Sequence, residues 1–168
     1  GRLGVLDAAE CPPTFNTDKN LIIGVIAGGK NALSESIENA EDDRNEGSKE
    51  MLRLNISKND VILGISASGS TPFVFGAIEE AYNNGCATGL ITFNKIKTLK
   101  IVKHQIEINV GPEIIAGSTR MKAGTATKMI LNMITTTSMI KLNKTYGNLM
   151  VDLTIKNNKL KERAIRII

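Results

Sequence analysis

The stretch DVILGISASGST, residues 60–71, decides the fold of this chain. Its first half is a continuous apolar run of strand length, which is typical of a strand buried on both faces of a parallel sheet. Its second half is a turn rich in serine. A helix is predicted from Thr71 to Asn84, because Ser70 and Gly85 stand at plausible capping positions. The stretch therefore predicts a strand, a turn and a helix in succession.

Similar elements are predicted on both sides of this stretch. Further strands are expected at residues 21–27, 87–93 and 105–110, and further helices at residues 42–54 and 121–142. A basic helix is a candidate for residues 156–168. Strands that alternate with helices form βαβ units and a parallel sheet, and right-handed crossovers place helices on both faces. The sequence thus predicts an α/β fold, a three-layer α/β/α sandwich that is flavodoxin-like.

Composition excludes several classes of protein. The chain has 168 residues, 42% of them hydrophobic and 23% charged, which fits one globular domain. No apolar run is long enough to cross a membrane, and no leader sequence is visible. Two cysteines without a C-x-x-C motif, one histidine and no tryptophan argue against a disulfide scaffold, a zinc site and an aromatic nucleic-acid platform.

Charge is divided unevenly along the chain. Residues 1–94 hold 7 basic and 13 acidic side chains, whereas residues 95–168 hold 14 and 4. The lysines of the basic half are scattered and lack interleaved aromatic residues. A solvated basic face, or attraction of an anionic substrate, therefore explains them better than nucleic acid does.

The turn after residue 65 is a candidate phosphate site. It follows a strand and opens a helix, so backbone N–H groups and the positive end of the helix dipole face a ligand there. It lacks the Gly-Lys-Ser/Thr of a Walker loop, and a small phosphosugar suits it better than a nucleotide. The predicted ligands are Ser66, Ser68, Ser70 and Thr71. The alternative is a serine-rich turn that only caps the helix.

Several longer motifs carry a resemblance to a known family. They are GRLGVLDAAECPPT at residues 1–14, AEDD at 40–43, SASGSTP at 66–72, GPE at 111–113, GSTRMKAGT at 117–125 and GNLMVD at 147–152. Together they resemble the N-acetylmuramic acid 6-phosphate etherases over nearly the whole chain. The resemblance implies the sugar-isomerase (SIS) fold, a cytoplasmic homodimer without metal or organic cofactor, and a phosphosugar substrate.

The implied reaction is cleavage of the D-lactyl ether of N-acetylmuramic acid 6-phosphate in the recycling of cell-wall sugars. Elimination needs a base for the C2 proton and an acid for the departing lactate oxygen, and two carboxyl groups can supply both. The resemblance identifies Glu10 as the proton donor and Glu41 as the second active-site glutamate, the base. From the residues alone, Glu10 is a surface residue at a helix end before Pro12 and Pro13, and Glu41 belongs to a solvated acidic run.

Other residues have two interpretations each. Gly28 and Gly29 provide either a turn or a close approach to substrate. Arg120 and Lys122 bind either an anionic group of the substrate or a dimer partner. His104 is expected in an exposed loop. Cys11 stands beside Glu10, close to the expected site, but a nucleophilic role is not expected because no histidine is close in sequence. Cys86 stands just before a strand and is expected in the core.

Two further functions compete with the lyase. One is a sugar-phosphate sensor that resembles the glucokinase regulatory proteins, and the other is an aldose–ketose isomerase. A pair of acid–base glutamates favours the enzyme over the sensor. Because the chain begins with glycine in the middle of a motif, we also expect residues 1–168 to be a single SIS domain that lacks its N-terminal strand and helices.

Overall fold

The computed structural model describes residues 1–151. This part of the chain contains four α-helices and three strands: α1 (Arg2–Phe15), α2 (Arg44–Arg53), β1 (Val61–Ile65), α3 (Pro72–Asn83), β2 (Ala87–Thr92), β3 (His104–Glu107) and α4 (Lys122–Lys141). Short 3₁₀ turns cover Lys30–Leu33 and Ala40–Asp42. The chain divides into two compact units. The first comprises Gly1 and Val25–Thr127, and the second comprises Arg2–Gly24 and the described residues from Lys128 onward.

The first unit is built on a parallel sheet. Its strand order is β1-β2-β3, with Ile65 opposite Ile91 and Thr92 opposite Glu107. Strand β2 is central, and its residues 88–92 are all buried. A cluster of Ile78, Leu90 and Val102 joins α3 to the sheet. The predicted α/β class with a parallel sheet is therefore confirmed, as are the strands expected around residues 61–65 and 87–92.

Helices α2 and α3 approach each other closely at two glycines. A Cβ on Gly76 would lie 1.9 Å from the backbone oxygen of Arg44, and a Cβ on Gly47 would lie 2.0 Å from the oxygen of Phe73. Neither space admits a side chain. The Arg44 guanidinium also donates to Glu79 Oε2 at 2.8 Å on the same interface, but this exposed ion pair adds little stability.

Replacing Gly76 with Ala is expected to lower the melting temperature of the protein. The methyl group meets backbone and not a flexible side chain, so α2 must shift, at a cost of about 1–3 kcal/mol. For a chain of this size that corresponds to roughly 2–12 °C. Thermal unfolding followed by circular dichroism measures the change. Gly124→Ala is the milder helical comparison and is expected to lower the melting temperature less, because its Cβ would lie 3.3 Å from Thr119 O, a tight contact that needs only a small shift. Equal melting temperatures for wild type and Gly76→Ala would contradict this packing.

The second unit joins α1 to the later part of α4. Asp7 is only 6% exposed. Its Oδ1 accepts hydrogen bonds from Asn132 Nδ2 at 2.5 Å and from Thr135 Oγ1 at 3.2 Å. Beside it, Cys11, Phe15 and Met139 form a small core. These contacts fix the face that α1 buries.

Three sequence-based expectations about secondary structure are wrong. Residues 21–27 form turns and irregular backbone instead of a strand, and Leu21 and Ile23 are more than half exposed. Apolar composition alone does not form a strand, because a strand requires ladder hydrogen bonds to a neighbour. Helix α1 also continues through Pro12 and Pro13 to Phe15. Finally, His104 begins β3 instead of lying in a loop, although it is exposed as expected.

The predicted helices around α2, α3 and α4 are confirmed to within two residues at each end. The candidate basic helix at residues 156–168 lies outside the described residues. The prediction that the chain is a single SIS domain without its N-terminal strand and helices stays a prediction.

Candidate functional site

The predicted phosphate loop lies where β1 ends and α3 begins, at the carboxyl edge of the sheet. Ser66 is its structural centre and is 2% exposed. The backbone N–H groups of Gly69 and Thr71 donate to Ser66 Oγ at 3.1 and 3.2 Å. The hydroxyl oxygens of Ser66 and Thr71 lie 2.8 Å apart. Ser66 therefore holds the loop in shape from the inside.

The exposed members of the loop are Ser68 and Ser70. Their hydroxyl oxygens lie 2.9 Å apart, and the Ser70 N–H donates to Ser68 Oγ at 3.2 Å. Thr71 is the N-cap residue of α3, but its hydroxyl does not cap the helix. Because the serine hydroxyls face solvent beside a helix N-terminus, the loop presents donors and a favourable dipole to an anion.

Gly69 gives the loop its sharp bend. Its φ of +75° lies in the left-handed region, where residues with a Cβ are strained. A Cβ there would also lie 2.6 Å from Ile96 Cγ2 and 2.8 Å from Thr92 Oγ1. The loop is thus shaped to lie directly against the segment that follows β2.

That second segment includes a residue to which the sequence analysis gave no role, Asn94. The Phe93 N–H donates to Ala67 O at 3.1 Å, and Asn94 Nδ2 donates to the same oxygen at 3.2 Å. The available sequence signal was its position directly after β2, since the carboxyl ends of adjacent parallel strands meet at one edge. Asn94 and Phe93, which follow β2, therefore hold the serine loop at the backbone oxygen of Ala67.

Glu41 lies in the 3₁₀ turn Ala40–Asp42, which packs against α3. The side chain is exposed and has no hydrogen bond or ion pair within residues 1–151. Two neighbours in the acidic run have structural partners instead. Asp43 caps α2 by accepting from the Glu46 N–H at 2.9 Å, and Glu46 pairs with Arg53 at 2.6 Å. Glu41, like Asp42 in the same turn, therefore lacks the structural contacts that hold Asp43 and Glu46.

Glu10 belongs to the second unit and is described by itself. It is exposed on α1, between the buried Asp7 and the buried Cys11.

Burial, with the nearby Asp7 carboxylate, raises the pKa of the Cys11 thiol. The pKa of the Cys86 thiol is also raised by burial, and its Sγ donates to Ser57 O at 3.0 Å. Protonated thiols agree with the structural roles predicted for both cysteines.

The remaining predicted site residues are placed as follows. Gly28 and Gly29 form a turn with φ of +83° and +67° before the short helix Lys30–Leu33, and no atom would meet a Cβ on Gly29 within 4 Å. Arg120 is exposed just before α4. Lys122 is the first residue of α4, and its Nζ donates to Pro112 O at 2.7 Å. The structure brings the four serine-loop residues together. Their predicted roles stay predictions, as do those of the glutamates, the glycines and the basic residues.

Two other kinds of site are absent from the described part of the chain. Residues 1–151 contain no cluster of three or more His, Cys, Asp or Glu side chains suited to a metal ion. Within the same part of the chain, no helix combines the length and the apolar character that membrane crossing requires.

The chain is similar in sequence to one group of known proteins. A family model described as the glucokinase regulatory protein N-terminal SIS domain matches residues 1–82. The chain is 55% identical to N-acetylmuramic acid 6-phosphate etherase 1 of Bacillus licheniformis, with 100% of the chain aligned to 56% of that protein. It is 53% identical to the etherase of Christiangramia forsetii, aligned to 62% of it, and 54% identical to that of Clostridium acetobutylicum, aligned to 56% of it.

The chain thus spans little more than half the length of the curated relatives it matches. The match to the SIS domain and the parallel α/β sheet agree on a SIS-type fold. The whole chain aligns with relatives that share a single name at more than 50% identity. By sequence the chain is similar to the N-acetylmuramic acid 6-phosphate etherases over the part of their length that it spans, and its fold is of the SIS type.

Proposed function

We propose that the protein is a carbon–oxygen lyase that cleaves the D-lactyl ether of N-acetylmuramic acid 6-phosphate. The products are N-acetylglucosamine 6-phosphate and D-lactate, as expected for the recycling of cell-wall sugars in the cytoplasm. The observation that carries this proposal is identity above 50%, over the entire chain, to relatives named for this activity. We expect a homodimer and a reaction that needs neither a metal nor an organic cofactor.

In the proposed site, the serine loop binds the 6-phosphate. Ser68 and Ser70 supply exposed hydroxyls, and backbone N–H groups at the start of α3 supply further donors. The ordered loop supports this role, because Ser66 and Gly69 fix its backbone before any ligand arrives. Preorganised donors reduce the entropic cost of binding. Gly28, Gly29, Arg120 and Lys122 are the proposed contacts for the rest of the substrate.

In the proposed reaction, Glu41 removes the C2 proton of the open-chain sugar, beside the aldehyde that acidifies it. The C3–O bond then breaks, and Glu10 gives a proton to the departing lactate oxygen. The product of this step is an α,β-unsaturated aldehyde with a C2=C3 double bond. Water adds its hydroxyl at C3, and a proton returns to C2. General acid–base catalysis of this kind contributes about 10²–10⁴-fold to rate.

The direct test of this function incubates the protein with N-acetylmuramic acid 6-phosphate and assays D-lactate. Release of D-lactate with N-acetylglucosamine 6-phosphate is the expected result.

A second candidate function is a regulatory protein that binds a sugar phosphate without cleaving it. The matching model of a glucokinase regulatory protein domain favours that alternative. Tight binding of N-acetylmuramic acid 6-phosphate without any D-lactate would identify the protein as such a sensor.

Replacing Ser68 with Ala is expected to weaken binding of N-acetylglucosamine 6-phosphate by about 1–3 kcal/mol, the value of a hydrogen bond to a charged group. Titration calorimetry measures the change. Ser138→Ala is the matched control, because that exposed hydroxyl donates only to Ile134 O within α4. Equal affinity of Ser68→Ala and wild type would remove Ser68 from the phosphate site.

A further inference from the structure

Residues 114–121 form an exposed loop whose two ends are tied together. At its base, the Lys122 N–H donates to Glu113 Oε2 at 3.1 Å, and the Ala123 N–H donates to Glu113 Oε1 at 3.0 Å. The Lys122 ammonium adds a third bond, to Pro112 O at 2.7 Å. Between these anchors, Ile114 and Ile115 are 72% and 66% exposed. The loop therefore has a fixed base and a free outer part.

The base of this loop follows β3 closely along the chain. The chain leaves β3 at Glu107, and the next N–H, of Ile108, donates to Thr92 O at 3.0 Å at the end of β2. The N–H of Phe93, the residue after Thr92, donates to Ala67 O of the serine loop at 3.1 Å. Backbone hydrogen bonds thus join the serine loop to the end of β2 and the end of β2 to Ile108, and a short stretch of chain leads from Ile108 to Pro112 and Glu113.

Glu113 is an unusual helix cap. Caps normally come from the residue directly before the helix, whereas Glu113 stands nine residues before Lys122 and uses both carboxylate oxygens. A carboxylate at a helix N-terminus is favourable because it meets unsatisfied N–H donors and the positive end of the dipole. No ion pair joins Glu113 to the Lys122 ammonium in the described part of the chain. Glu113 therefore fixes the backbone of Lys122 without neutralising its charge.

The Lys122 side chain is exposed and can bind an anion. An ammonium group has three donors, and Pro112 O is its single acceptor among residues 1–151. The same nitrogen lies 3.9 Å from the position of a Cβ on Gly111, so the group faces the segment that leaves the sheet. Two N–H donors of the ammonium and its full positive charge remain for a ligand beside this segment.

We propose that Glu113 is a positioning residue for anion binding, which it performs by holding Lys122 beside the segment that follows β3. This inference rests on the proposed function, since the anion is a charged group of the phosphosugar. Glu113 touches backbone N–H groups and not the ligand. Its effect on affinity therefore passes through Lys122.

A double-mutant cycle tests this inference. The variants Glu113→Gln, Lys122→Gln and the double variant are titrated with N-acetylglucosamine 6-phosphate. Each single variant is expected to raise the Kd by about 5–10-fold, and the double variant by no more than the larger single effect, because coupled residues are not additive. The KM for N-acetylmuramic acid 6-phosphate is expected to rise by similar factors in the same three variants. Lys58→Gln, an exposed lysine in the turn before β1, is the charge control and is expected to leave the Kd unchanged.

Four outcomes would overturn the inference, and the last of them would overturn the proposed function as well. If the effects of the two single substitutions on the free energy of binding add up in the double variant, Glu113 acts independently of Lys122. If Glu113→Gln lowers the melting temperature but leaves the Kd unchanged, Glu113 is a helix cap only. If Glu113→Gln does not fold, Lys122→Gln alone decides, because it leaves the cap intact, and unchanged affinity would again overturn the proposal. Wild-type protein that neither binds the phosphosugar nor releases D-lactate would instead overturn the proposed function and this inference together.

Discussion

Replacing Glu41 with Gln is expected to stop both exchange of the C2 proton with solvent and release of D-lactate. Both events require removal of that proton, and an amide cannot accept it. The expected loss is about 10²–10⁴-fold in each rate. Deuterium incorporation at C2 in heavy water, measured beside D-lactate formation, reports the two events separately.

The structure makes this variant a clean test of chemistry. Glu41 is exposed and has no partner among residues 1–151, so the amide disturbs no ion pair or hydrogen bond within that range. Its backbone is held by the 3₁₀ turn that packs on α3. The matched control is Asp42→Asn in the same turn, which is expected to keep both rates. Unchanged C2 exchange in Glu41→Gln would refute its role as the base.

The sheet could be predicted from sequence because its signal is local. Strand β2 carries no charged residue and its residues 88–92 are buried, which is the pattern expected of a central parallel strand. The segment at residues 21–27 is more apolar than β2 and forms no strand. Apolar composition favours burial but does not secure it, since Leu21 and Ile23 are more than half exposed. Strand formation also depends on a hydrogen-bonding neighbour elsewhere in the chain. That neighbour is not encoded in the segment itself.

The candidate site shows a similar limit. The composition of the serine loop predicted an anion site, but not which serine faces inward. Ser66 is buried because the bend at Gly69 turns two backbone N–H groups toward its hydroxyl, while Ser68 and Ser70 face solvent. The clamp from Glu113 to α4 was also missed. It connects residues nine and ten positions apart, whereas the spacing rules for caps cover about three.

Helix α1 shows why Glu10 needs a structural argument beside the sequence motif. Asp7 is fixed by Asn132 and Thr135, and Cys11 packs with Phe15 and Met139. Glu10 lies between these two anchors and is exposed. Its backbone is therefore held firmly although its carboxyl group contributes nothing to the core. A substitution there alters a reactive group without altering the packing of the helix.

Replacing Glu10 with Gln is expected to separate the two events that Glu41→Gln removes together. If Glu10 is the acid for the lactate oxygen, D-lactate release falls by about 10²–10⁴-fold. Exchange of the C2 proton persists in part, because deprotonation does not require the leaving group to depart. A variant that loses one event and retains the other is also correctly folded.

The control for Glu10 is Asp18→Asn, which removes a carboxylate from the same unit of the chain, in the turn where Asp18 Oδ1 accepts from the Asn20 N–H at 2.7 Å. It is expected to keep both exchange and release. Wild-type D-lactate release in Glu10→Gln would refute the acid assignment. If Glu10→Gln loses exchange and release together while Glu41→Gln retains exchange, the two glutamates have the opposite roles, because only the base is needed to labilise the C2 proton.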